Sequence, residues 1–183
     1  RAVIAAVPWS TFPRLFSNRP AALELAIAGA EKTDGSPIAT VNLWLDRLVL
    51  PRPLLGLPGR TMQWVFDKRS VFGASASHLS LVSSGAADVA SLSDRALISL
   101  ATAELRCALP GRVWRVKHAS VMRERQATFS LAPGQPQRPD TETTVSGLFL
   151  AGDWIETGLP ATIESAVTSG HRAADAAFEW LAR

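Results

Sequence analysis

Cysteine is nearly missing from this chain of 183 residues, and tyrosine is missing altogether. The single Cys107 excludes an intrachain disulfide and any multi-cysteine metal site. Histidine is scarce too: His78, His118 and His171 lie far apart and show no metal-ligand spacing. There is no run of about 18 apolar residues, so no transmembrane helix is expected, and the opening residues carry no signal-peptide pattern. Charged residues are sparse, at 19%, and the net charge of +3 is too small to argue for a nucleic-acid partner. What the chain has in quantity is apolar side chains, at 47%, ordinary for a protein that buries a core. The expectation is a cytoplasmic protein, dissolved or peripheral at the inner face of the cell membrane, with no nucleic acid.

The organisation reads as strands first and helices later. Ala2–Val7 is a short apolar run closed by Pro8, and it follows Arg1 directly. A chain that opens in mid-strand reads as a fragment. Asn18 is placed to cap a helix, with Pro20 in its first turn, running to about Glu31. In Ile38–Asp46, Val41, Leu43 and Leu45 alternate with Asn42, Trp44 and Asp46, as in a half-buried strand. Thr61–Asp67 and Ser77–Ser83 repeat that pattern, Trp64 and Phe66 sharing one face of the first. Strands at this spacing predict an antiparallel sheet. Ser93 caps a helix over Asp94–Ala108 with the stripe Leu97, Leu100, Ala101, Leu105, and Cys107 is expected on its apolar side. Arg112–Arg125 is a basic strand with a net +4 over fourteen residues. It reads equally as a charged sheet edge and as a contact for an anionic membrane surface. The proline-bearing Leu131–Thr144 reads as a linker, and a strand at Gly147–Ala151 leads to a closing helix over Thr162–Leu181.

That last segment, GLFLAGDWIETGLPATIESAVTSGHR (Gly147–Arg172), carries the chemistry. A strand ends at Ala151, Gly152 and Asp153 follow at its carboxyl end, and a loop with Gly158 and Pro160 leads into a helix at about Ala161–Ile163. Ligands of open α/β sheets sit outside the carboxyl ends of strands. A helix N-terminus offers unpaired N–H groups and about half a positive charge, which suits an anionic group. The helix also has a narrow small-residue side at Ala166, Gly170, Ala173 or Ala174, and Ala177. Gly170 there implies a close approach, and the bulkier Ile163, Val167, Phe178 and Leu181 are expected to extend the buried face.

This string resembles the C-terminal flavin-binding segment of the flavin amine oxidase and phytoene desaturase superfamily, and within it the squalene-associated FAD-dependent desaturases, the hydroxysqualene dehydroxylases. RAVIAAVPW at the start, MQWVFDK at Met62–Lys68 and RERQATFSLAPG at Arg123–Gly134 are similar to further stretches of that family. The resemblance implies an α/β (α+β) fold: part of a Rossmann-like FAD domain, residues 1–9 and 145–183, with an antiparallel-sheet substrate domain over 10–144. It implies FAD as cofactor, with Asp153 on the ribityl chain and Gly152 allowing close approach. Ala161, Thr162 and Ile163 stand at the helix start, where Thr162 and Ile163 would offer N–H groups to the pyrimidine end of the flavin ring, while Gly158 and Pro160 shape the loop below. It implies an isoprenoid lipid substrate, lying against Trp64 and Phe66, and the reductive dehydroxylation of hydroxysqualene to squalene. It names neither the electron donor nor a proton donor, for which Asp67, Glu164 and His78 are conceivable. The family's G-x-G-x-x-G turn for the ADP half of FAD is nowhere in these residues. This departure fits the fragment reading, in which the chain alone is inactive. The alternatives are a phytoene-type carotenoid desaturase and a non-catalytic lipid-binding remnant.

Overall fold

The structure, a computed structural model, describes residues 1–73 and 76–183. Its elements are, in order, β1 (Val3–Ala6), α1 (Glu24–Lys32), β2 (Gly35–Leu45), β3 (Leu54–Gly56), β4 (Trp64–Asp67), α2 (Lys68–Phe72), β5 (Ser77–Ser84), α3 (Ala87–Ala90), α4 (Asp94–Ala108), β6 (Val116–Phe129), β7 (Leu148–Ala151) and α5 (Ile163–Leu181). They pack as two units, Arg1–Gly35 with Thr128–Arg183, and Ser36–Ala127. Residues 10–35 and 128–144, expected with the substrate domain, thus pack with β1 and β7.

The Ser36–Ala127 unit is built on an antiparallel sheet, as the alternating segments predict. The five strands run in the order β3-β4-β5-β2-β6, and β2 pairs β5 with Val41 opposite Leu81 and Leu43 opposite Leu79. Those four side chains point to one face and are fully buried there with Leu97, Ala101 and Leu105 of α4. Each such leucine contributes about 1.5–3 kcal/mol by leaving water. The Ser93 hydroxyl accepts from the Ala96 N–H at 3.3 Å and starts α4 where the sequence places it. Farther along, the Glu104 carboxylate accepts from the Thr61 and Met62 N–H groups at 3.0 and 2.8 Å, fixing the approach to β4. Cys107 is exposed, contrary to its expected place on the apolar side. At about 100° per residue it lies some 200° around the helix from buried Leu105.

In the other unit β1 and β7 form a parallel pair, Val3 to Ala6 matching Leu148 to Ala151. Phe12, Ile27, Leu150 and Ile155 are fully buried beneath it, and the Phe12 ring lies 5.4 Å from that of Trp154. The helix expected from Asn18 begins only at Glu24. Pro20 is extended and is followed by a 3-10 turn at Ala21–Leu23. The proline-bearing segment packs within this unit: Gln135 exchanges two hydrogen bonds with Asp34 at 2.9 Å, and the Leu150 N–H donates to the Thr141 carbonyl at 2.8 Å. The small-residue side of α5 is buried as expected at Ala173 and Ala177, whereas the bulky stripe expected to extend the buried face is not. Ser165, Ser169, Ala173 and Ala177 are buried, whereas Ile163, Val167, Phe178 and Leu181 are exposed. Small side chains let α5 lie close on Phe149 and Ala151 of β7, which bulky ones would prevent. Gly170 sits on the outer side, with nothing within 4 Å of where a Cβ would be.

Candidate functional site

Gly152, Asp153, Gly158, Pro160, Ala161, Thr162 and Ile163 form one continuous path from the end of β7 to the start of α5. Two buried serines on α5 brace it. The Ser169 hydroxyl accepts from the Gly152 N–H at 2.9 Å and is 2.8 Å from the Gly152 carbonyl, to which it donates. The Ser165 hydroxyl donates to the Asp153 carbonyl at 3.1 Å and lies 2.7 Å from the Thr157 hydroxyl. Gly152 has φ +139°, and an added Cβ would stand 2.9 Å from Trp154 Cδ1. Trp154 cannot retreat: it is 2% exposed and its Nε1 donates to the Val7 carbonyl at 2.8 Å.

The loop's outer side is clamped by arginine. Arg138 donates to both carboxylate oxygens of Glu156, at 3.0 and 2.7 Å, and to the Leu159 carbonyl at 2.7 Å, while its guanidinium lies over the Phe129 ring. Arg172 donates to the Glu156 carbonyl at 2.9 Å. The Gly158 N–H, with Arg138 behind it, holds the Glu156 carboxyl below its ordinary pKa. A cleft of about 230 Å³ opens beside the clamp, between Gly29, Phe129, Pro136 and Trp154. Sequence reasoning missed Ser165, Ser169, Arg138 and Arg172. The hydroxyls at i and i+4 on the small side of a helix were the available signal.

What remains open is a donor set beside an acceptor. Thr162 caps α5, its hydroxyl accepting from the Ser165 N–H at 3.1 Å. The N–H groups of Ile163 and Glu164 then have no partner within the helix. Asp153 is half-buried, and no ion pair among the described residues involves it. Burial pushes its carboxyl above the ordinary range, against the pull of its own and the Trp154 N–H. A half-buried carboxylate without a counter-ion suits a ligand hydroxyl, and free N–H groups suit a group that gains negative charge. This chemistry fits the ribityl and pyrimidine parts of a flavin, while nothing in the path offers a cradle for a pyrophosphate.

In the other unit Trp64 and Phe66 share the sheet face turned away from α4. Trp64 is 45% exposed and lies across Gly56, its partner on β3. Asp67 faces the opposite way and is buried. It accepts from the Arg69 N–H at 3.1 Å and pairs with the Arg69 guanidinium at 3.0 Å, so it serves as the cap of α2. Glu164 is exposed on the first turn of α5. Of the basic strand, Arg123 is engaged: it binds the Ala90 and Leu92 carbonyls and Asp94 at 2.6–3.0 Å. No helix of the described residues is long and apolar enough to cross a membrane, and no cluster of three metal-ligating side chains occurs among them.

The chain is similar to known proteins over nearly its whole length. It is 33% identical over 178 residues, 97% of its length, to a hydroxysqualene dehydroxylase from Sinorhizobium fredii. It is 28% identical over 159 residues to a chloroplastic and chromoplastic 15-cis-phytoene desaturase from Solanum lycopersicum. It spans 38% and 27% of those two curated relatives. An oxidoreductase from Methanosarcina mazei has a similar fold, with a TM-score of 0.68 at 16% identity over 95% of this chain and 42% of the other. Residues 1–177 match the flavin containing amine oxidoreductases, and the chain belongs to that family.

Proposed function

We propose that the chain is the flavin-ring and substrate-handling part of an FAD-dependent oxidoreductase that converts hydroxysqualene to squalene, in hopanoid lipid biosynthesis. The observation that carries the cofactor assignment is the half-buried Asp153 at the end of β7 together with the N–H groups of Ile163 and Glu164, which have no partner within α5. Asp153 would accept from a ribityl hydroxyl, and the first turn of α5 would face the pyrimidine end of the ring. Gly152 and the loop through Gly158, Pro160 and Ala161 would hold the two at fixed separation. The adenine and pyrophosphate half would be held by residues outside these 183, since no G-x-G-x-x-G occurs among them, and the chain alone would then be inactive. The exposed face bearing Trp64 and Phe66 is the surface for an isoprenoid chain, because long apolar ligands need broad apolar contact with few polar groups. Peripheral membrane contact would use Arg112, Arg115, Lys117 and Arg125, the basic residues around β6 other than Arg123.

The substrate assignment is supported by the Sinorhizobium relative and by the span of that likeness. The reaction is a reduction: the alcohol takes up two electrons and two protons and yields the hydrocarbon and water. Bound flavin supplies the two-electron chemistry. The tomato relative supports a second reading, desaturation of a polyene. The natural gene product, purified and scanned for flavin absorbance, is incubated anaerobically with a reductant and hydroxysqualene, and separately with phytoene and an oxidant. Squalene formation is the expected result. Desaturated phytoene without squalene would transfer the assignment to the second reading, and a colourless preparation that never takes up flavin would end both.

A further inference from the structure

The sheet face that carries Trp64 and Phe66 also carries Ile38, Trp44, His78 and Val82, with Thr40 and Ser84 toward one end and a polar pair at its middle. Asn42 of β2 and Ser80 of β5 stand opposite each other in the register, and both are buried, at 7% and 2% exposure. Asn42 Oδ1 lies 3.0 Å from His78 Nε2 and accepts from the Ser80 hydroxyl at 2.5 Å. The His78 ring is stacked on Trp44, 4.1 Å between centroids and 16° from parallel, and Trp44 meets His118 of β6 on another side. Asn42 and Trp44 therefore fix the orientation of the imidazole from two directions.

The cluster has capacity left over. With the amide oxygen turned to both partners, His78 donates through Nε2 and its Nδ1 is an acceptor. No hydrogen bond among the described residues reaches Nδ1 or the Asn42 amide nitrogen. Polar atoms set into an apolar face cost stability unless something hydrogen-bonds to them. A hydrocarbon lying on this face would leave both atoms unsatisfied. An alcohol, which donates and accepts, would not.

We propose that Asn42, His78 and Ser80 form the subsite for the hydroxyl of a long-chain isoprenoid alcohol, with His78 Nδ1 accepting from it while Trp44, Trp64 and Phe66 contact the chain. The proposal rests on the reading of this protein as acting on an isoprenoid alcohol. It also separates that reading from polyene desaturation, whose substrate has no hydroxyl.

The test compares farnesol with farnesene, the same carbon chain with and without a hydroxyl, as ligands of the natural gene product. Binding is followed by tryptophan fluorescence, so no turnover is required. Wild type is expected to bind farnesol about tenfold more tightly, the worth of one hydrogen bond to a partly buried group. His78→Phe keeps the stacking on Trp44 and is expected to abolish that preference while farnesene binds unchanged. His78→Asn puts an amide oxygen near the place of Nδ1 and restores part of the preference, whereas His78→Gln, which reaches toward Asn42 instead, does not. Should His78→Phe fail to fold, the Asn and Gln variants decide. Equal binding of the two ligands by wild type, an unchanged preference in His78→Phe, or equal behaviour of the Asn and Gln variants each overturns the proposal. A His78-dependent preference for farnesol in a protein that does not convert hydroxysqualene leaves the subsite standing and removes the dehydroxylase assignment.

Discussion

Substituting Gly152 by alanine puts the geometry of the loop between β7 and α5 to the hardest test. At φ +139° an L side chain is strained, which costs about 1–3 kcal/mol. The new Cβ would also stand 2.9 Å from Trp154 Cδ1 and 3.3 Å from the Val7 carbonyl. Trp154 packs against Phe12 in the core, so the clash must displace a buried indole and break its bond to Val7, worth about 1 kcal/mol more. The total is roughly 2–4 kcal/mol, or about 5–15 °C in melting temperature for a chain of this size. Gly158 supplies the control. It lies in the same loop at φ +79°, with nothing within 4 Å of its added Cβ. Gly158→Ala should therefore cost only about 1 kcal/mol, from the left-handed backbone alone. Both variants are melted beside wild type by circular dichroism. A Gly152→Ala melt within 2 °C of the Gly158→Ala melt (about 0.5 kcal/mol) would refute the argument that the indole is immovable.

Arg138→Met and Glu156→Gln, singly and together, should show a coupling of about 1 kcal/mol in denaturant unfolding, since the pair is bidentate and the arginine largely shielded; purely additive losses would mean that the clamp holds nothing. Protection of the Gly158 and Leu159 N–H groups against hydrogen exchange, taken relative to the intrinsic rate at each pH, should fall in either single variant and also in acid. The Glu156 pKa is lowered on folding, so its stabilisation is present above the ordinary carboxylate range and lost as pH falls through the lowered value. Thr162→Ala should cost about 1 kcal/mol by removing the cap of α5, read as a lower melting temperature. Burial, with Lys68 adding to it and Asp67 opposing, draws the His78 pKa below its ordinary value; His118 stands across Trp44 on the neighbouring strand. A histidine depressed in this way favours the fold above about pH 6.5 and costs stability as pH falls through the folded value. Stability should therefore decline between neutrality and acid in wild type and decline less in His78→Phe, followed by melting temperature against pH.

The sequence showed the elements whose signals are local. Ser93 before an apolar stripe marked the start of α4, and alternation in β2, β4 and β5 marked the antiparallel sheet and put Trp64 and Phe66 on one face. Thr162 fell at the start of α5, where the structure shows its hydroxyl capping the helix. What failed depended on distance along the chain. The parallel pairing of β1 with β7 joins segments about 140 residues apart and leaves no local trace. Without that partner in view, the bulky stripe of α5 looked like its buried face, whereas a sheet approached closely selects serine and alanine instead. Asp153 was legible as the residue at the carboxyl end of β7, but the arginines that steady its loop come from positions 138 and 172, whose roles only tertiary contact defines.

The two serines beneath the loop carry a consequence for insertions and deletions. Ser165 and Ser169 reach Asp153 and Gly152 only because they stand one turn apart on the same side of α5. Removing or adding one residue between Thr162 and Ser165 would rotate everything beyond it by about 100° and carry both hydroxyls away from the strand end. The helix is therefore phase-locked to the loop. Exposed side chains other than Arg172 can be exchanged with less consequence, but the count of residues from the cap to Ser169 is fixed by two hydroxyl groups.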